Sequence, residues 1–367
     1  MPPKLRLAYF AHSVRSDWNN GNAHFLRGLL RSLIALGHDV SIFEPEDGWS
    51  FSNLLEEPLG ERAVQQFFLT YPELPIRTYS SANDACLVSA LSGKDVVIVH
   101  EWNPPELVLH LLGLRDRLKF RLVFHDTHHR ASSSPDQMRA LELDKFDGIL
   151  AFGEALRNIY RNTFNLTNVW TLHEAADTTV FRPMPGIERR NEVIWIGNWG
   201  DDERTAELKT YLLCPAARLR GTFFSVYGVR YPAEAQASLQ NAGIDYRGYL
   251  PNLGGPRAYA GAMATIHVPR QAYTAAMSGI PTIRVFEALA CGIPLVSAPW
   301  EDSEHLFRDG DYCRVTSMAE MTEALRQIGT DRGSAERQAQ RGLETVLARH
   351  TCMHRAQQLT SICEEVL

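Results

Sequence analysis

The stretch from Gly279 to Pro299, with the sequence GIPTIRVFEALACGIPLVSAP, constrains the fold more than any other part of the chain. Pro281 suits the first position of a helix, because its missing N–H costs nothing there, and apolar spacing predicts a helix over residues 282–289. Gly292 and Pro294 end that helix, and residues 295–297 are then predicted to form a short buried strand. Helix, tight turn and buried strand in this order indicate a parallel α/β sheet.

The start of this predicted helix is suited to an anion. The N–H groups near Thr282 and Ile283 have no partner inside the helix, and the helix dipole is positive at this end. Both features favour phosphate. Glu287, the single acidic residue of an apolar helix, follows one to two turns later. Taken alone, the stretch is also compatible with an ordinary amphipathic helix whose one glutamate lies at a solvated edge.

The segment RVFEALACGIPLVSAP resembles the nucleotide-sugar signature of GT-B glycosyltransferases, and it is closest to their CgeB-like (spore maturation protein type) and family 4-like branch. The resemblance implies two Rossmann-like parallel-sheet domains that face each other across a cleft, with a C-terminal helix that crosses back. It also implies that amides near Thr282 and Ile283 hold the donor diphosphate and that Glu287 binds the ribose hydroxyl groups. Many retaining members have a second glutamate eight positions upstream, where this chain has Gly279.

Composition excludes several other classes of protein. The chain has 367 residues, 45% of them apolar, which is enough for two domains with their own cores. A net charge of −6 gives no general basic field for nucleic acid. No apolar run approaches the ~20 residues of a membrane span. The six cysteines form no C-x-x-C pair, and the N-terminus has no secretory pattern, so a cytoplasmic location is predicted.

The N-terminal half begins with a predicted strand (5–11), helix (23–36) and strand (40–43), which together make a βαβ unit. The loop between the first two elements lacks G-x-G-x-x-G and therefore gives little support to a dinucleotide oxidoreductase. It resembles the first loop of GT-B enzymes, where Asp17 and Trp18 would orient a hydroxylated acceptor. The alternative, in which Trp18 packs on its own domain, is equally compatible with the sequence.

A cluster of polar residues, His125-Asp126-Thr127-His128-His129-Arg130, follows the strand predicted at residues 122–124. Imidazole and carboxylate groups bind transition metals, but His128 and His129 are adjacent and do not easily share one face. The family resemblance instead implies that His125 contacts the donor sugar, with Asp126 or a backbone group fixing its orientation. A purely structural role at the end of the strand is the other alternative.

In the C-terminal half, a strand predicted at 193–196 runs into a turn at Gly197, a geometry that receives phosphate when a helix follows. By resemblance, Arg204 and then Lys209 are the residues that neutralise the donor diphosphate. For either residue, an exposed charge on a helix is the alternative.

Two further strands of this half are predicted to end at ligand-binding positions. A strand is predicted at 244–249, and the resemblance implies that Tyr249 and Leu250 at its end contact the base, unless they belong to the core. A helix at 257–264 precedes a strand at 265–268, which leaves Arg270 as a second phosphate candidate at the carboxyl end of a strand.

These features predict an acceptor domain (1–180, with the crossing helix 350–367) and a donor domain (181–349). The predicted activity is transfer of a sugar, of the hexosyltransferase type, from a nucleotide diphosphate sugar to a hydroxyl of a saccharide, lipid-linked glycan, protein or small molecule. The reaction would need no metal or other cofactor, and the resemblance favours retention. Inversion would need a base, for which the sequence offers His12, Asp17 and His125. A nucleotide-sugar epimerase and a non-catalytic binding protein are the alternatives.

Overall fold

The computed structural model describes residues 4–82, 85–200 and 204–367. The chain divides into two compact units, an N-terminal unit of residues 1–174 and 352–367 and a C-terminal unit of residues 175–351. No helix in the described parts of the chain combines the length and the apolar character that crossing a bilayer requires.

Within the described residues, the N-terminal unit is built on one parallel sheet of seven strands. These are β1 (Arg6–Phe10), β2 (Asp39–Pro45), β3 (Ile76–Tyr79), β4 (Val96–His100), β5 (Arg121–Asp126), β6 (Gly148–Ala151) and β7 (Val169–Thr171). Their spatial order is β3-β2-β1-β4-β5-β6-β7, so the order reverses between β1 and β4. In open α/β sheets, ligands bind beyond the carboxyl ends of the strands at such a reversal.

Helices connect these strands. They are α1 (Ala23–Ala35), α2 (Trp49–Glu56), α3 (Gly60–Thr70), α4 (Ala85–Leu91), α5 (Pro105–Leu118), the short α6 (Arg130–Ser133) and α7 (Pro135–Arg139), and α8 (Glu154–Asn162), with a 3₁₀ turn at Leu143–Lys145. All five residues of β4 are buried, and the four before His100 are apolar, as expected for a parallel strand covered on both faces.

The described C-terminal unit has a second parallel sheet, of six strands in the order β10-β9-β8-β11-β12-β13. They are β8 (Arg190–Ile196), β9 (Phe223–Tyr227), β10 (Ile244–Tyr246), β11 (Ala262–His267), β12 (Leu295–Ser297) and β13 (Cys313–Arg314). The helices are α9 (Thr205–Leu208), α10 (Cys214–Arg218), α11 (Ala233–Asn241), α12 (Gly255–Gly261), α13 (Ile283–Ala290), α14 (Met318–Thr330) and α15 (Arg332–Arg349). A 3₁₀ turn (Asn252–Gly254) and two π-helical turns (Lys209–Leu213 and Ala272–Ala276) complete the unit.

The last helix, α16 (Cys352–Val366), belongs to the N-terminal unit, where it packs against α1. The Cys352 thiol lies 3.8 Å from the carbonyl oxygen of Phe25 in that helix. The predicted fold class, with two Rossmann-like parallel sheets and a returning C-terminal helix, is therefore confirmed.

Four predicted boundaries are wrong in ways that affect the site. The strand predicted at 122–124 extends through Asp126, because His125 pairs with His100 and Asp126 with Ala151. The strand predicted at 244–249 ends at Tyr246, and the helix predicted at 257–264 ends at Gly261, since residues 262–264 pair with β8. The helix predicted to begin at residue 282 begins at Ile283 instead.

Candidate active site

Three imidazole rings lie together at the carboxyl ends of β1, β4 and β5. His100 and His125 are register partners on neighbouring strands, both fully buried, with ring centres 5.7 Å apart in an edge-to-face arrangement. The ring of His12, two residues beyond β1, stacks on that of His100 at 5.5 Å. The sequence indicated His125 and His12 separately, but His100 was missed because it looked like the last residue of an apolar strand.

His125 is held by Tyr9. The Tyr9 hydroxyl lies 2.7 Å from His125 Nδ1, and Tyr9 is only 1% exposed. In the part of the chain that the structure describes, this hydroxyl has no other hydrogen-bond partner, so the buried O–H donates to Nδ1. The ring proton of a neutral His125 is then on Nε2, which has no partner among the described residues.

Burial lowers the pKa of His125 to about 3, so the ring is neutral at physiological pH. A neutral ring with its proton on Nε2 and its Nδ1 occupied by Tyr9 offers a hydrogen-bond donor. It does not offer a base.

Asp126 does not orient His125, contrary to one of the alternatives the sequence left open. Its carboxylate accepts hydrogen bonds from the Tyr160 hydroxyl at 2.5 Å and from the backbone N–H of His128 at 2.9 Å. Burial raises the pKa of Asp126 to about 6. Glu101 accepts a hydrogen bond from Arg130 at 2.7 Å, and burial together with the charge of Asp126 raises its pKa. These two carboxylates therefore fix the loop that follows β5.

The histidine-rich loop is not arranged as a metal centre. The rings of His128 and His129 lie against each other, with their centres 4.0 Å apart and their planes tilted by 31°. Over the described ranges 4–82, 85–200 and 204–367, no three His, Cys, Asp or Glu side chains are grouped so that they could bind one metal ion.

The first loop is anchored by its predicted acceptor residues. The Asp17 carboxylate accepts a hydrogen bond of 2.9 Å from Arg27, whose side chain is 1% exposed and also donates to the carbonyl oxygen of Val14. The Trp18 indole N–H donates to Glu57 at 2.8 Å, and Trp18 is 7% exposed. The structure therefore shows the second alternative for Trp18, in which it packs on its own unit.

In the C-terminal unit, Arg204 supports two loops. Its guanidinium donates to the carbonyl oxygen of Val268 at 3.2 Å and to that of Asn198, and it is 7% exposed. It therefore joins the turn beginning at Gly197 to the segment after β11. Lys209, in a π-helical turn, is exposed. Arg270, three residues beyond β11, is half-buried.

The start of α13 is shaped by Thr282. Its backbone is extended (ψ 160°), which places Pro281 outside the helix and makes Thr282 the N-cap residue. A threonine here usually bonds to an amide of the first turn, but this hydroxyl makes no such bond. It lies 3.2 Å from His267 Nε2 instead, so the first-turn amides are left without a side-chain cap.

His267 was missed by the sequence analysis because it ends an apolar strand. It is 4% exposed, and its Nδ1 lies 2.9 Å from Ser297 Oγ, whose own proton goes to the carbonyl oxygen of Ala298. Nδ1 therefore donates to Ser297, which leaves Nε2 to accept from the Thr282 hydroxyl. Burial and the nearby charge of Arg204 lower the pKa of His267 to about 3, so it stays neutral.

Glu287 lies in the interior and not at a solvated edge. It is fully buried, and its two oxygens accept hydrogen bonds from Asn252 Nδ2 at 3.1 Å and from Arg284 at 2.5 Å. Asn252 is another residue that the sequence did not indicate. It follows the half-buried Tyr249 and Leu250 in the loop beyond β10.

Two family models match the chain. Residues 19–180 match the family described as Glycosyltransferase Family 4, and residues 204–361 match one described as Glycosyl transferase-like. No curated protein sequence matches significantly.

Solved structures with the same fold share little sequence with the chain. HepE from Anabaena, solved in complex with UDP and glucose, is 13% identical with a TM-score of 0.70 over 97% of this chain and 98% of its own. Sucrose-phosphate synthase from Thermosynechococcus elongatus is 15% identical, with a TM-score of 0.65 and 99% of each chain covered. A glycosyltransferase from Rickettsia africae is 10% identical, with a TM-score of 0.67 over 99% of this chain and 98% of its own.

Proposed function

We propose that this chain, a glycosyltransferase of the GT-B fold, transfers a sugar from a nucleoside diphosphate to a hydroxyl group, with retention and without a metal ion. The observation that carries the proposal is the start of α13, where the Thr282 hydroxyl bonds to His267 and leaves the first-turn amides without a side-chain cap. Amides without a side-chain cap and the positive end of the helix dipole favour a diphosphate. HepE, which has the same fold, was solved with UDP bound.

The dimensions of α13 suit a nucleotide. Glu287 follows Ile283 by four residues, which at 1.5 Å per residue is about 6 Å along the same helix face. A diphosphate at the amides and a ribose beside Glu287 would lie about that far apart. Arg270, Arg204 and Lys209 are the proposed cations for the diphosphate, and Tyr249 and Leu250 the proposed neighbours of the base.

Retention is supported by the weakness of the candidate bases. Burial lowers the pKa of His125 to about 3, and burial with the charge of Arg130 lowers that of His12 to about 4. The Asp17 carboxylate is bound by Arg27. An inverting reaction needs a base for the acceptor hydroxyl, whereas in a retaining one the leaving phosphate can take that proton. His125 would then stabilise charge on the transferred sugar through its Nε2–H.

Finer parts of the proposal rest on the sequence. Membership of the CgeB-like branch is supported by RVFEALACGIPLVSAP, and a transferred hexose and a cytoplasmic location belong to the same proposal. No observation favours the epimerase or the non-catalytic alternative.

Binding of UDP, GDP and ADP, measured by calorimetry, tests the donor site. Wild-type protein should bind at least one of them, and Glu287→Gln should weaken that binding about tenfold, the effect of losing one charged hydrogen bond. Arg326→Ala, at an exposed pair with Glu323, is the matched control and should bind as wild type does. Absence of binding by all three nucleotides would refute the proposal.

Two measurements test the chemistry. NMR of the anomeric proton during turnover of the matching sugar nucleotide should show a product with the configuration of the donor. Activity should persist in EDTA. An inverted product, or activity lost in EDTA and restored by a divalent cation, would contradict the corresponding part of the proposal.

A further inference from the structure

We propose that Asn252 is a specificity-determining residue of the donor site, whose side-chain oxygen accepts a hydrogen bond from a ribose hydroxyl group. The inference rests on the proposed function, since it concerns the nucleoside part of the same donor. It assigns a role to a residue that neither the sequence signature nor the helix dipole indicates.

The orientation of the Asn252 amide is fixed by its neighbour. Its Nδ2 donates to Glu287 Oε1 at 3.1 Å, and the other oxygen of Glu287 is paired with the Arg284 cation at 2.5 Å. A carboxylate held in this way only accepts hydrogen bonds, so a flipped amide would place oxygen against oxygen. The amide nitrogen must therefore point towards Glu287, and Oδ1 must point away from it.

Oδ1 of Asn252 is an acceptor without a donor. Asn252 is 6% exposed, and its Oδ1 has no hydrogen-bond partner within the part of the chain that the structure describes. Buried polar atoms are almost always paired, because an unpaired one loses its hydration without compensation. A ligand that brings an O–H or N–H group to this atom would remove that penalty.

The arrangement of acceptors matches a ribose. Asn252 and Glu287 are joined by a hydrogen bond, so Oδ1 belongs to the same amide group that contacts the Glu287 carboxylate, although it points away from that bond. A ribose presents two adjacent hydroxyl groups, each of which can donate to one acceptor. Base carbonyl oxygens, by contrast, would meet acceptors only. Glu287 is proposed to bind one hydroxyl of this diol, and Asn252 the other.

This assignment predicts a preference for ribonucleotides. A site built to accept a hydrogen bond from a hydroxyl group rejects an analogue that lacks it, because its buried acceptor is then unpaired. The chain should therefore discriminate against a deoxyribose at both hydroxyl positions, through Asn252 at one and through Glu287 at the other, whatever the base.

The test combines a change in the protein with a change in the ligand. Calorimetry would compare UDP, 2′-deoxy-UDP and 3′-deoxy-UDP, or the same series of GDP or ADP if wild type binds that base. Wild type should bind each deoxy analogue about tenfold more weakly than the ribonucleotide, in line with the loss of one hydrogen bond to a buried acceptor. Asn252→Ala should weaken binding of the ribonucleotide to a similar extent and binding of one of the two analogues much less, so that discrimination disappears at that hydroxyl position and remains at the other.

The outcomes separate this inference from the proposed function. No binding of any nucleoside diphosphate refutes both. Binding without deoxy discrimination in wild type, or equal losses for the ribonucleotide and for both deoxy analogues in Asn252→Ala, refutes the role of Asn252 while nucleotide binding itself stands. Losses that depend on the base and not on the sugar would assign Asn252 to the base and also refute it.

Two further variants serve as a surface control and as a replacement in case Asn252→Ala does not fold. Asn241→Ala, at an exposed residue ending α11, should keep the wild-type discrimination. If Asn252→Ala does not fold, Asn252→Ser provides a small polar replacement that does not extend as far as Oδ1. Retention of the full discrimination by a folded Asn252→Ser protein would contradict the assignment.

Discussion

The Tyr9 hydroxyl lies 2.7 Å from Nδ1 of His125, and both side chains are buried in the N-terminal unit. The contact decides which nitrogen of His125 carries the ring proton. Because Tyr9 has no other acceptor among the described residues, its O–H donates and Nε2–H becomes the free donor. The histidine that the sequence indicated thus acquires a definite chemical character from a tyrosine that looked like part of an apolar strand.

Tyr9→Phe should lower kcat about five- to tenfold, the equivalent of one net hydrogen bond of about 1–1.5 kcal/mol, with little change in the KM of the donor. The physical reason is that His125 is then free to adopt the other tautomer. Nitrogen NMR of histidine-labelled protein should show an unprotonated Nδ1 in wild type and a mixture in the variant.

Tyr79→Phe is the matched control, because Tyr79 is also buried in this unit and its hydroxyl donates to Asn103 at 3.4 Å. It should leave the His125 signals unchanged. A wild-type spectrum with Nδ1 protonated would show that the assigned tautomer is wrong.

Asp17→Asn should destabilise the protein by about 3 kcal/mol, because it leaves the buried Arg27 cation without its charged partner. Urea unfolding gives the free energy directly. The exposed pair of Asp136 and Arg139 provides the control, since Asp136→Asn should cost less than about 0.5 kcal/mol. A stable Asp17→Asn protein with strongly reduced turnover would instead support a catalytic role for Asp17.

His267→Asn should bind a diphosphate more weakly than His267→Gln does. Glutamine can reach the Thr282 hydroxyl as Nε2 does, whereas asparagine can only replace Nδ1 and its contact with Ser297. Once released, Thr282 can cap α13 and compete with the ligand, at a cost of about 1 kcal/mol or roughly fivefold in affinity. Calorimetry with the diphosphate that wild type binds measures the difference.

Removal of the competing side chain supplies the control. The double variant His267→Asn with Thr282→Ala should recover most of the lost affinity, since no hydroxyl remains to cap the helix. If the double variant binds as weakly as His267→Asn alone, His267 does not act through Thr282.

Much of the fold was predictable because its signals are local. Apolar runs and glycine turns gave strands of both sheets, and the strand predicted at residues 295–297 is β12 with the same bounds. The errors arose where tertiary pairing overrides the local signal. His125 and Asp126 are polar, yet they continue β5 because their backbones pair with two neighbouring strands.

The site was only partly predictable for a related reason. Glu287 was found from its motif, but its partner Asn252 is 35 residues away and has no motif of its own. Tyr9 and His267 lie in strands, where pattern alone marks them as core. Arg204 was chosen for its charge, while the structure shows it donating to backbone carbonyl oxygens, a role that composition cannot reveal.

The buried histidines make stability depend on pH. Burial lowers the pKa of His125 and of His267 to about 3. In mildly acidic solution these histidines are therefore protonated in the unfolded chain and neutral in the folded one. The stability that each histidine contributes is therefore complete above a pH of about 6.5 and is lost as the pH falls towards 3. The buried Asp126, with a pKa raised to about 6, acts in the opposite direction, because its folded form binds a proton more readily.

The difference between variants isolates one histidine from these opposing effects. A histidine that has its ordinary pKa in the unfolded chain and stays neutral in the folded form lowers the free energy of unfolding by about 2 kcal/mol between pH 7 and pH 5. Glutamine does not titrate. The free energy of unfolding of His267→Gln should therefore fall by about 2 kcal/mol less than that of wild type between pH 7 and pH 5, as measured by urea unfolding at both pH values. The control is His305→Asn, at an exposed position whose positive φ of 52° suits asparagine. Its free energy of unfolding should fall as much as that of wild type. Equal losses in wild type and His267→Gln would mean that His267 is protonated in the folded protein, and the neutral acceptor assigned to Nε2 would then be wrong.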